Sequence, residues 1–207
     1  MNFNNPKEIE KRSMEIIDNK IKNMNKFSPQ EEKIVKRIVH ATADPEIAEK
    51  VVVSSQAISA AFDLFEEGCN LVTDVNMLKA GISKKALNKL NIKVNCFIAR
   101  EEIAEKASQL DITRSMMSMR KAVEDKNNKL FIIGNAPTAL FELLRLIKAG
   151  KGDNVKLIIG TPVGFVGAAE AKENLQEFDI PYITVKGKKG GSPVAASIIN
   201  ALLYMYI

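Results

Sequence analysis

The sequence predicts an α/β protein: a three-layer, mostly parallel five-stranded sheet preceded by N-terminal helices. Three observations carry this. From residue 69 onward, short apolar runs of β-type residues alternate with segments of helical periodicity. Nearly every strand-like run ends in a loop that carries glycine or proline. Residues 1–68 hold helix-like stretches instead, on a charged background. We expect one domain over 1–207, with helices in 1–68 and the alternating core in 69–207.

The first helix is predicted over Pro6 to Asn23, where Ile9, Met14, Ile16, Ile17 and Ile21 recur at near-helical spacing. Ser13 lies inside it and reads, by itself, as an ordinary helix serine. Ser28-Pro29-Gln30-Glu31 is a capping box with proline at the first helical position. The helix it opens places Ile34, Val35, Ile38 and Val39 on one arc. His40 falls on the opposite side, beside Lys36 and Arg37. It is either an exposed helix histidine or an acid/base group on a basic surface. Ala43-Asp44-Pro45 ends this helix, because a residue before proline avoids the α region. Ser54 to Glu67 is a further helix, closed by Gly68.

The alternating region follows. Strands are predicted at Asn70 to Thr73, Val94 to Ala99, Leu130 to Ile133, Val155 to Ile159 and Tyr182 to Val185. A long helix is expected from Arg100 to Glu124, and shorter ones over Ala139 to Lys148, up to Glu177 and from Ala195 to Tyr206. Met116, Met117 and Met119 on the long helix read as packing residues. Strands joined through helices run parallel, and ligands gather at their carboxyl ends.

One of those ends stands out. Lys186-Gly187-Lys188-Lys189-Gly190-Gly191-Ser192-Pro193 joins the last strand to the last helix. Ser192 suits an N-cap and Pro193 the first helical turn. Bare glycine backbone, a helix N-terminus and three lysines make an anion site.

Composition narrows the function. A chain of 207 residues with 46% hydrophobic and 27% charged residues is globular. Its net charge of +5 suits an acidic partner, while 6% aromatics and no Trp give little for stacking on nucleic acid. One histidine and two distant cysteines argue against a metal site built by the protein. Cys69 and Cys96 read as free thiols in a reducing compartment. No stretch approaches membrane-spanning length and Met1 to Ile9 has no apolar signal core, so a cytoplasmic protein is expected. There is no nucleotide P-loop, the glycines at 160, 164 and 167 lack dinucleotide-fingerprint spacing, and no serine sits in a nucleophile elbow. Flexible loops, several cations and one proton donor imply a reaction that runs on positioning and a proton.

Taken together, several stretches resemble the precorrin-8 and cobalt-precorrin-8 methylmutase family of cobalamin biosynthesis. They are Glu10 to Ser13, Arg37 to Asp44, Asp74 to Gly81, Thr113 to Ser115, Ile133 to Leu140, Pro162 to Ala168 with Glu170 and Lys172, and Lys188 to Ser192. They keep their order over nearly the whole chain. The resemblance implies a Rossmann-like sheet, a homodimer and a cofactor-free isomerase. That enzyme moves a methyl group between neighbouring carbons on ring C of a corrin precursor. It also implies His40 as the catalytic group. Ser13, Arg114, Asn135, Thr138, Gly164, Lys188, Lys189, Gly190, Gly191 and Ser192 would bind the substrate. A non-catalytic corrin carrier shares all these binding residues, and a phosphate- or nucleotide-handling α/β enzyme remains the rival outside this resemblance.

Overall fold

The computed structural model describes residues 4–21 and 27–207. In chain order the elements are α1 (Pro6–Ile21), α2 (Pro29–Thr42), a short 3-10 helix η1 (Pro45–Lys50), β1 (Val51–Val53), α3 (Ala57–Glu67), β2 (Asn70–Thr73), α4 (Asn76–Gly81), α5 (Lys84–Lys89), β3 (Lys93–Cys96), α6 (Glu101–Gln109), α7 (Arg114–Ala122), β4 (Asn128–Ile133), α8 (Pro137–Lys148), β5 (Leu157–Gly160), α9 (Ala168–Leu175), β6 (Tyr182–Val185) and α10 (Ser192–Tyr206). The last two residues of the predicted first helix, at 22–23, lie outside the described residues.

The sheet has six strands in the order β1-β6-β5-β4-β2-β3. Five of them run parallel, and these are the five that the sequence predicts. The sixth, β1, is a correction. Val51-Val52-Val53 pairs antiparallel with the edge of β6, and Ser54 continues that contact: its N–H donates to the Tyr182 carbonyl, and its hydroxyl accepts from the Tyr182 N–H. Three β-branched residues favour extended backbone, and an open edge was available to them. The helix expected from Ser54 therefore begins at Ala57.

Alternate strand residues face opposite layers. Leu71, Leu130, Ile132, Leu157 and Ile159 pack with α2, α3, α4, α5 and α10. Val72, Phe131, Ile133 and Ile158 pack with α6 to α9. Covering both faces lets nearly continuous apolar strands be buried. Helix α10 is the centre of the first layer, with nine buried residues from Val194 to Leu203. It is apolar nearly all round, as a helix enclosed by neighbours must be.

The long helix expected from Arg100 to Glu124 is two helices. Asp111 takes a left-handed conformation (φ 51°), and the Thr113 hydroxyl accepts from the Met116 N–H at 3.2 Å. That cap satisfies an otherwise unpaired donor and starts α7. The break has a consequence: it puts Arg114 on the first turn of a helix at the carboxyl edge of the sheet.

Candidate active site

The end of α2 is one half of the site. Its capping box forms as predicted, with the Ser28 N–H donating to Glu31 Oε2 at 2.7 Å. Ile34, Val35, Ile38 and Val39 are buried, which leaves His40 exposed on the far side. The neighbouring cations are locally paired: Lys36 lies 2.8 Å from Asp18, and Arg37 lies 3.4 Å from Glu10. His40 shares a hollow of about 280 Å³ with Ser13, Lys20, Ala43 and Pro45. On the other side of the helix end, Ala41 lines a second hollow of about 390 Å³ with Met77, Ser192, Pro193 and Asn200. Ala43 turns left-handed (φ 53°), and Asp44 caps η1 by accepting from the Glu46 N–H at 3.1 Å.

The loop between β6 and α10 is the other half, and Asp44 joins the two. The Lys189 ammonium bonds the Asp44 carboxylate, with Glu46 at 3.8 Å. The Lys189 hydrogen bond holds the Asp44 carboxyl below its usual range, and Asp44 holds Lys189 above its own. So Lys189 is already paired, whereas the sequence suggests three free lysines. The Lys188 ammonium lies 5.6 Å from the centre of the Phe165 ring.

Backbone contacts set the shape of this loop. The Gly191 N–H donates to the Thr161 carbonyl at 2.8 Å, and the Gly164 N–H donates to the Lys188 carbonyl at 3.2 Å. A β-carbon on Gly190 would stand 2.3 Å from the Thr161 oxygen, so no other residue fits there. Beneath the loop, Lys172 is fully buried and its ammonium donates to the Lys189 carbonyl at 2.7 Å. Burial pushes the Lys172 ammonium down to about 8. The expected cap needs correcting. Gly191 is the N-cap of α10, and Ser192 is a buried first-turn residue whose side chain caps nothing. The glycine accepts a backbone angle (φ 117°) that serine would resist, so the helix starts one residue early.

A third group gathers at the end of β4. The Asp74 carboxylate, fully buried after β2, accepts from the N–H groups of Gly134 at 3.1 Å, Asn135 at 2.8 Å and Ala136 at 2.8 Å. Burial pushes the Asp74 carboxyl up, and the three N–H groups oppose that. β2 and β4 are neighbours at which the strand order reverses, where α/β proteins commonly bind a phosphate. Here the chain's own carboxylate occupies those donors, so no nucleotide phosphate can use them. Thr138 on α8 lies 3.3 Å, oxygen to oxygen, from Thr113 beside Arg114. Asn135, Thr138 and Arg114 are all exposed.

The predicted residues thus fall into two groups with the 186–192 loop touching both. Ser13 and His40 meet at the end of α2. Asn135 and Thr138 follow β4, and Thr138 contacts Thr113, the residue before Arg114. Lys189 reaches the first through Asp44, and Ser192 packs on Gly134, where a β-carbon would lie 2.9 Å from the Ser192 Cα. Gly164 backs the Lys188 carbonyl. Sequence reasoning missed Asp74 and Lys172 as supports. Asp74 directly follows a strand, which was a usable signal. Lys172 sits among polar helix residues and looks solvated. Cys69 is buried, its thiol pushed up to about 11, chiefly by that burial, so it is no nucleophile. No group of three or more metal-ligand side chains occurs among the described residues.

Cations on glycine-rich loops at the carboxyl ends of a parallel sheet, with one exposed histidine, make an α/β protein with a basic surface suited to an acidic small molecule. The family is shown by comparison. The profile described as precorrin-8X methylmutase matches residues 8–205. A cobalt-precorrin-8 methylmutase of Methanocaldococcus jannaschii is 43% identical, over 94% of this chain and 91% of its own. The one of Salmonella typhimurium is 40% identical, over 96% and 95%. The solved precorrin-8X methylmutase from Thermus thermophilus superposes with a TM-score of 0.85 at 30% identity, covering 96% of each chain. The chain belongs to the precorrin-8X methylmutase family, methyl-migrating isomerases of cobalamin biosynthesis.

Proposed function

We propose that this protein converts precorrin-8, or its cobalt form, into hydrogenobyrinate or cobyrinate by moving one methyl group to the adjacent carbon of ring C. An isomerisation neither adds nor removes electrons. What it requires is a fixed ring and a proton where electron density must be drawn away. His40 supplies that proton to a ring nitrogen beside the migrating centre, with Ser13 in the same hollow. The substrate's acetate and propionate carboxylates are held by Arg114, Lys188 and Lys189, with Asn135, Thr138, Gly164, Gly190, Gly191 and Ser192 lining the remaining contact. Arg114 suits a carboxylate through its planar fork. Cobalt, where present, arrives inside the macrocycle as part of the substrate.

The observation that carries this reading is the Asp44–Lys189 ion pair, which fastens the helix end bearing His40 to the anion-binding loop. That pairing supports placing acid and anchor in one site. Both hollows beside them are smaller than a tetrapyrrole and open outward, which supports a homodimer whose second subunit completes the enclosure. We place the protein in the cytoplasm.

Incubation with either precursor, followed by the absorption spectrum, tests the activity, because methyl migration changes the conjugation. His40→Ala should lower the bound-state rate by about 10²- to 10⁴-fold with product affinity nearly unchanged. A wild-type rate at saturation would remove the acid role. A spectrum that never changes, despite binding, would make this a carrier.

A further inference from the structure

We infer that the loop at 163–166 is an apolar platform that receives one face of the macrocycle, with Phe165 and Val166 as its contact residues and Lys188 as its carboxylate partner. The inference rests on the corrin reading above. A peripherally carboxylated macrocycle has two demands: cations for the rim and an apolar surface for the ring. The residues assigned so far meet only the first.

Four large apolar side chains stand in solvent around the anion loop. Phe165 and Val166 are each 88% exposed, Met77 is 73% exposed and Val163 is 44% exposed. Phe165, Val166 and Met77 are more open than the exposed apolar side chains elsewhere, such as Ile16, Leu110 and Tyr204, and Val163 is about as open as those. Single exposed apolar residues are ordinary, but several grouped at a site mark a binding surface.

Their placement selects the occupant. The Gly164 N–H bonds the Lys188 carbonyl, so the two loops are held as one unit. The Lys188 ammonium lies over the Phe165 ring at 5.6 Å. A β-carbon on Gly191 would lie 3.7 Å from the Val163 side chain, and Met77 shares a hollow with Ser192 and Pro193. Apolar surface and cation therefore alternate within one side chain's reach. That matches a flat ring with acidic arms. These few side chains fall far short of the ~800 Å² per partner that a stable contact buries, so the second subunit proposed above needs other surface for its main contact.

The chain has no Trp, so Phe165→Trp supplies a single reporter. Its emission should be that of a solvent-exposed indole and independent of protein concentration. Saturating hydrogenobyrinate should then quench and blue-shift it, after correction for ligand absorption. Phe165→Ser should weaken hydrogenobyrinate binding, measured by calorimetry, by about 10- to 100-fold with unchanged thermal stability. Emission that is already blue-shifted and turns red on dilution would assign the loop to a second copy and overturn the platform. So would unquenched emission, or unchanged affinity in Phe165→Ser, while wild type binds the ligand. If wild type itself takes up no hydrogenobyrinate, the corrin reading fails and the platform with it.

Discussion

The loops after β4 and after β6 are built from similar parts and do opposite things. Both leave a parallel strand, both carry glycine, and both lead to a helix with proline in its first turn. After β4, three backbone N–H groups turn inward onto the Asp74 carboxylate. After β6, the helix start has no side-chain cap, and lysines line the approach. A helix N-terminus can bind an anion only if the chain does not supply that anion itself. The first loop is therefore a fixed wall, and the second is the one left open for the proposed anchor.

The largest test of this difference is Asp74→Ala. It strands two buried donors and one part-buried one and should lower stability by about 3 kcal/mol, read by urea unfolding. A loss below about 0.5 kcal/mol would mean that the wall is held by something else. Next comes Lys188→Glu, which should raise KM by about 10- to 100-fold while kcat at saturation falls far less. A change confined to kcat would move Lys188 from anchoring to chemistry.

Lys172→Met separates support from stability. A buried lone ammonium costs folding free energy, so the variant should be at least as stable as wild type near pH 7, yet bind substrate more weakly because the Lys189 carbonyl loses its donor. The pH dependence has a definite sign. The folded state releases the Lys172 proton near 8, while the unfolded state keeps it to about 10.5. Between those values the unfolded state binds more protons, so wild-type stability relative to Lys172→Met should rise by about 3 kcal/mol as pH increases from 8 to 10.5. A flat difference would show that Lys172 titrates as a solvated lysine. The smallest contrast is between two hydroxyls. Thr113→Ala should cost about 1 kcal/mol because Thr113 caps α7, and Ser192→Ala less than about 0.5 kcal/mol because Ser192 caps nothing. Equal losses would return Ser192 to the capping role.

Much of the architecture was legible because its signals are local. The capping box at Ser28, the alternating strands and the exposed side of α2 each follow from neighbours a few residues apart. The failures share a cause. Asp111 and Thr113 break a helix whose apolar spacing runs on, and Val51 to Val53 become a strand only because β6 offers an unpaired edge. The glycine at 191 displaced the serine cap because its backbone angle is set by Thr161, thirty positions away.

For the site, residue types were enough to name candidates: one histidine on the polar side of a helix, lysines among glycines, and an ordered set of motifs shared with one family. The tertiary structure decided their pairing. Asp44 takes Lys189, Asp74 takes the three N–H groups of the β4 loop, and Lys172 is driven under the anion loop. Each of these is a long-range contact between a charge and a distant backbone or side chain. Spacing along a chain encodes which face a residue occupies. Which distant partner satisfies a buried charge depends on how the layers close over it.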